Sequence, residues 1–343
     1  MKRFALAALT HPAVLPLAYP FARGVAPILM LHRFADHALG NGGHAPGTLH
    51  RNLEFLRRHR FDLVALADLV AKLERGDPLV SKQVAFTVDD GYADFAKVGV
   101  DVFAAFDCPV TVFVVTGFLD GQCWLWWDQV DLALTGTLRT TVDVELGDGV
   151  HRYRWSDAGG RESVRADLVE RLKLVDDATR QTAIARLAGD LDVAIPNTPP
   201  KRYAPMTWED TRRCAQRGVT FGPHTVTHPI LARTDDRRSI TEIRDSWRRV
   251  KEEVPASVPI FCYPNGDPDS FGPREQGVLR QMGLVAALTT VQGYASSRVF
   301  AANHGAGRYA VPRFPYFEDA AAFRQVVSGL ERAKRLVLGK TGD

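Results

Sequence analysis

Six short apolar runs, separated by stretches with helical periodicity, constrain this chain more than any other feature. Residues 27–31, 84–88, 110–115, 219–222, 260–263 and 286–289 have the length of single strands and almost no polar face. Strands of that kind are buried on both sides, which is the condition of a parallel sheet covered by helices. The intervening segments 49–59, 66–75, 208–217 and 240–253 place apolar residues at helical spacing. Thr207 precedes the third of these as an N-cap, with Asp210 where a capping box more often has Glu or Gln. The last segment, 319–338, reads as one helix with Phe323, Val326, Val327, Leu330 and Val337 on its apolar face. The alternation assigns an α/β fold.

One region breaks this rhythm. Between about residues 120 and 205 lie a tryptophan cluster (Trp124, Trp126, Trp127), a hairpin-like stretch around 140–155 and a charged helical segment over 161–190. This region reads as an insertion between core strands, and such insertions often shape a substrate cleft. At the other end, Lys2 and Arg3 precede a run of apolar residues to Ala22, as in an export signal. His11, Pro12, Pro16 and Pro20 interrupt it, and it is too broken to cross a membrane. A retained N-terminal segment (1–24) is therefore expected, in a cytoplasmic or membrane-peripheral protein, with export to the periplasm as the alternative.

The 343 residues suffice for one domain with a large insertion. A net charge of +3 without a long basic run argues against nucleic acid as a partner. The four cysteines form no CxxC pair, so they read as small buried apolar groups rather than a disulfide framework.

Chemistry concentrates in two strand ends. The run Val84–Val88 leads into Asp89, Asp90 and Gly91, so two carboxylates reach the carboxyl edge of a sheet, with a glycine for the sharp turn. The run 219–222 leads into His224 and His228, two imidazoles at i and i+4 that one tight turn can bring to one face. One carboxylate and two imidazoles can hold a divalent metal, and the other carboxylate is left to act as a base. The ligand types suit Zn²⁺, with Co²⁺ and other first-row metals as alternatives.

Taken together, these segments resemble the polysaccharide deacetylases with a NodB homology domain, carbohydrate esterase family 4. Thr87-Val88-Asp89-Asp90-Gly91 resembles that family's Thr-Phe-Asp-Asp-Gly motif, with Val88 in place of Phe. His224-Thr225-Val226-Thr227-His228-Pro229 resembles its His-Ser/Thr-x-x-His-Pro motif, and Phe261-Cys262-Tyr263-Pro264-Asn265-Gly266 a variant of its third motif. Pro205-Met206-Thr207-Trp208 also fits. The resemblance implies a distorted α/β barrel of about seven strands over residues 25–343, carrying the one insertion. It implies Asp90, His224 and His228 as metal ligands and Asp89 as the general base toward metal-bound water. The backbone N–H of Asn265 would stabilise the oxyanion. Where many relatives carry an Arg that orients the base, this chain has Cys262, and Arg313 is the candidate to supply the guanidinium from another strand. The expected late histidine is missing after 286–289, and His304 is the nearest candidate for the general acid.

The activity so implied is metal-dependent removal of N-acetyl or O-acetyl groups from a carbohydrate. Hydrolysis of another small amide, such as a formyl group on a lipid-linked sugar, would use the same groups. A carbohydrate-binding protein that has lost activity is the non-enzymatic alternative. His32 could line the cleft or satisfy a core hydrogen bond. Trp126, Trp127 and Asp128 could form a sugar-stacking wall or simply seat the insertion.

Overall fold

The computed structural model describes residues 2–80 and 82–339. Its strands are β1 (Ile28–Leu31), β2 (Asp62–Leu63), β3 (Gln83–Val88), β4 (Val110–Val114), β5 (Thr141–Leu146), β6 (Gly149–Arg154), β7 (Val219–Pro223), β8 (Ile260–Cys262), β9 (Ala286–Leu288) and β10 (Phe314–Pro315). Each apolar run becomes a strand, shifted by a residue or two at its ends. The short β2 and β10 were not legible, because two residues set no period.

The main sheet has the order β10-β1-β3-β4-β7, with β2 beside β3, and every pairing in it is parallel. The parallel pair β8-β9 stands next to it. Isolated bridges span both gaps: Phe221 to Ser257 between β7 and the approach to β8, and Leu288 to Val311 between β9 and the chain entering β10. The result is a distorted barrel whose continuous ladders stop on either side of β8-β9. Gly222 is one reason β7 and β8 come so close. A Cβ there would lie 2.6 Å from the Phe113 ring and 2.7 Å from the Ile260 carbonyl oxygen.

Every residue of β3 and β4 is buried. The helices Pro46–Arg58, Leu66–Arg75 and Asp236–Glu253 cover the sheet with Leu53 and Leu56, Leu69 and Leu73, and Ile243 and Val250. Before β7, the helix Trp208–Ala215 starts with a full capping box. Thr207 Oγ1 accepts from the Asp210 N–H at 3.1 Å, and Asp210 accepts from the Thr207 N–H at 2.8 Å. Asp is long enough here to do what Glu usually does.

The insertion lies between β4 and β7 and builds its own core from Val130, Leu134, Val142, Val144, Leu168, Leu172, Ile184 and Leu187. It consists of the helix Trp126–Gly136, the antiparallel hairpin β5-β6, and the helices Ala158–Lys173 and Asp177–Asp190. The single helical segment expected over 161–190 is thus two, because Asp176 caps a new start by accepting from the Thr179 N–H at 3.0 Å.

The C-terminal expectation is also corrected. In place of one helix over 319–338 there are two, Ala320–Val327 and Leu330–Val337. Gly329 breaks them with φ 86°, and a Cβ on it would sit 2.6 Å from the Ala22 nitrogen. Packing against the N-terminal segment therefore decides the break, and Val337, expected on the apolar face, is 86% exposed.

That N-terminal segment forms the helix Lys2–Leu9 and short 3₁₀ turns. Tyr19 packs edge-on to Phe61, and the Gly24 N–H donates to Leu79 O at 3.1 Å. These contacts lie at the amino-terminal edge of β2 and β3, opposite the edge that carries the chemistry. No described helix is long and apolar enough to cross a membrane.

Candidate active site

The carboxyl ends of the strands converge on a cleft of about 700 Å³, lined by His32, Asp89, Asp90, Tyr92, Trp127, Asp128, His224, His228 and Asn265 among others. Asp89 extends β3 by one residue, its N–H bonding Leu31 O of β1 at 2.9 Å. Asp90 then turns into the left-handed region at φ 75°, followed by Gly91 at φ 86°. This reversal sends adjacent carboxylates to different partners.

Asp89 is fully enclosed and clamped by Arg313. Nη1 donates to Oδ1 at 2.9 Å and Nη2 to Oδ2 at 2.8 Å, while Nε holds Thr289 O at 2.9 Å. Arg313 is 0% exposed, so the pair is a desolvated, bidentate one. Burial alone would raise the Asp89 pKa, but the guanidinium overrides it and holds the carboxyl well below its ordinary range. Cys262 fills the remaining corner. Its sulfur accepts from Arg313 Nη2 at 3.1 Å and lies 3.5 Å from Asp89 Oδ2, and burial keeps the thiol protonated. A small thiol leaves room for the arginine to enter from the other side of the barrel.

Asp90 faces the imidazoles. His224 Nε2 is 3.5 Å and His228 Nε2 3.7 Å from Asp90 Oδ1, and one atom from each of the three groups falls within 4.8 Å of the others. His224 follows β7, where its N–H bonds Val114 O at 3.0 Å. Its Nδ1 bonds Cys262 O at 2.7 Å, which leaves the Nε2 lone pair for a metal. Burial pushes His228 down to about 3, so that ring is neutral, the form that a metal binds. The donor set and its spacing fit a divalent cation.

The loop between the histidines is held from outside. Glu242, on the helix Asp236–Glu253, accepts from the N–H groups of Val226 at 2.8 Å and Thr227 at 2.9 Å, and from Thr227 Oγ1 at 2.5 Å. Thr225 Oγ1 accepts from the His228 N–H at 3.0 Å. Sequence reasoning missed Glu242, because nothing local distinguishes it from the other charged residues of that helix.

After β8, Asn265 takes φ 61° and its N–H finds no partner among the described residues, while Thr290 Oγ1 holds its carbonyl at 2.6 Å. Gly266 makes this turn feasible: a Cβ would sit 2.8 Å from the Thr290 nitrogen.

His304 is not brought to the cleft. It is exposed on the 3₁₀ stretch Asn303–Tyr309, which Arg308 ties to Glu74 at 2.8 Å. Residues 311–315 run parallel to β9 and β1, so whatever precedes them sits at the opposite edge of the barrel. Besides the His224–His228 pair, the cleft holds His32, just after β1, with Nε2 4.0 Å from Asp89 Oδ2.

On the insertion side, Trp124 and Trp126 are buried in packing, whereas Trp127 sets its ring edge-on to His228 with centroids 4.6 Å apart. Tyr92 Oη donates to Asp128 Oδ2 at 2.6 Å and accepts from Trp127 Nε1 at 3.0 Å. Burial pushes Asp128 up to about 7. In a separate cleft of about 730 Å³ along the helix Asp236–Glu253, Arg249 pairs with Asp120 and Arg238 with Asp177.

Comparison with known proteins bears on the fold and on part of the sequence. Residues 195–287 match the family model described as polysaccharide deacetylase, a stretch that holds the His pair and the Asn265 turn but not Asp89 and Asp90. Among solved structures, the Streptococcus pyogenes deacetylase PplD is similar, at 17% identity and TM-score 0.55, over 89% of this chain and 98% of that one. A de-N-acetylase from Aggregatibacter actinomycetemcomitans is similar at 13% identity and TM-score 0.53, over 86% and 96%. IcaB from Ammonifex degensii gives 15% and 0.52, over 89% and 97%. No curated protein sequence matches the chain. Over residues 195–287 the chain is similar in sequence to the polysaccharide deacetylases, and over most of its length it shares the fold of these solved structures.

Proposed function

We propose that the protein hydrolyses acetyl groups from an acetylated carbohydrate, with Asp90, His224 and His228 holding a divalent metal. The observation that carries this reading is the pairing, in one cleft, of a buried His₂Asp donor set with a carboxylate that Arg313 keeps ionised. When bound, such a metal would polarise the acyl carbonyl and acidify water. Asp89 takes the proton of the attacking water, and Arg313 fixes the direction of its lone pairs. The Asn265 N–H, free of any protein partner among the described residues, is the donor for the developing oxyanion. His32 protonates the leaving group, in the role that the sequence alone assigned to His304. The described N-terminal segment packs at the far edge and brings no apolar surface to this cleft.

Metal removal tests the proposal. Chelated protein should release no acetate from N-acetylglucosamine oligomers, and Zn²⁺ or Co²⁺ should restore release. Full activity with only trace metal bound would sink the reading. For the acid, His32→Gln should lower kcat by roughly 10²-fold or more, whereas His304→Gln should leave it unchanged. The reverse pattern would return the role to His304.

A further inference from the structure

Five carboxylates line the cleft: Asp89, Asp90, Asp128, Asp131 and Glu162. Four of them are engaged. Asp89 gives both oxygens to Arg313, and Asp90 belongs to the metal-ligand set. Asp131 accepts from Arg202 at 2.7 Å and from Tyr203. Glu162 takes both sides of the Arg165 guanidinium.

Asp128 differs. It sits in the first turn of the helix Trp126–Gly136 and is only 6% exposed. Tyr92 Oη donates to Oδ2 while accepting from Trp127 Nε1. No described residue donates to Oδ1, and Asp128 lines the cleft, so Oδ1 is the acceptor left open there. Trp127 sets this helix turn against His228 and so beside the metal-ligand wall. Oδ1 faces the cleft, and a donor arriving there would stabilise the carboxylate that burial now penalises. The remaining groups of the site serve the acyl oxygen and the water. They leave unmet the hydrogen on the atom that carries the acetyl group.

We propose that Asp128 Oδ1 accepts a hydrogen bond from the N–H of an acetamido sugar and thereby makes the site selective for amides over esters. An ester oxygen offers no such hydrogen, so it would leave Asp128 unpaired. This rests on the deacetylase reading and names the bond that the enzyme selects.

The test compares wild-type and Asp128→Asn full-length protein on tri-N-acetylchitotriose and on an O-acetylated xylan. The variant should lose roughly ten- to a hundredfold in kcat/KM on the amide and keep its rate on the ester. Tyr92→Phe should show the same selective loss in weaker form. Equal loss on both substrates indicates a merely structural role and overturns the proposal, as does no loss on either. If the wild type releases acetate from neither, the deacetylase reading itself has failed. Calorimetric titration of tri-N-acetylchitotriose into Asp89→Asn, with and without Asp128→Asn, then decides the point. Weaker binding in the double variant supports Asp128 as the N–H acceptor, and equal or absent binding overturns it.

Discussion

Asp89→Asn should cut acetate release by roughly 10²- to 10⁴-fold while the protein still binds one divalent metal. The substitution keeps the shape of the side chain and removes only its charge and basicity. Asp90, His224 and His228 are untouched, and none of them depends on Asp89 for position: His224 is fixed by Cys262 O, and the loop by Glu242. Steady-state kinetics beside metal analysis of the same sample checks this. Loss of both metal and turnover would mean that Asp89 is itself a ligand, and wild-type turnover would remove it from the base role.

The second large effect belongs to Arg313. Arg313→Met should destabilise the fold by about 3–5 kcal/mol, because it leaves the Asp89 charge buried without its partner. Urea unfolding at neutral pH measures this. The sign of the pH dependence derives from the depressed pKa of Asp89. Its stabilisation is present above the unfolded value of about 3.9 and fades as pH falls below that. The gap between wild type and variant should therefore narrow in acid. Arg313→Lys keeps the charge without the two-pronged geometry and should recover only part of the stability. A double-mutant cycle with Asp89→Asn should show strong coupling, whereas additive effects would reduce the clamp to two independent residues.

The chemistry of this site was legible because it is local. Asp89 and Asp90 come directly after one apolar run, His224 and His228 after another, and buried parallel strands present the residues at their carboxyl ends along one edge. Asn265 was named through the resemblance of Phe261–Gly266 to a family motif. Arg313 could be named from sequence as a candidate, but its grip on Asp89 spans 224 positions and depends on β10 lying beside β1. His304 shows the converse error. Nearness in sequence to a strand end suggested a role, yet the chain runs to the other edge of the barrel before it turns back, and His32 occupies the place instead.

Local pattern thus determined the α/β class, the strand runs, the insertion and the Asp-Asp and His-His pairs, since period, turn chemistry and residue type act over a few neighbours. Tertiary structure alone decided the rest. The break at Gly329 comes from its contact with Ala22, the loop clamp comes from Glu242 on a separate helix, and Asp128 keeps one oxygen toward the cleft because Tyr92 is the one described side chain that donates to its carboxylate. Those outcomes depend on which distant groups the fold packs against one another, and no window of sequence contains those contacts.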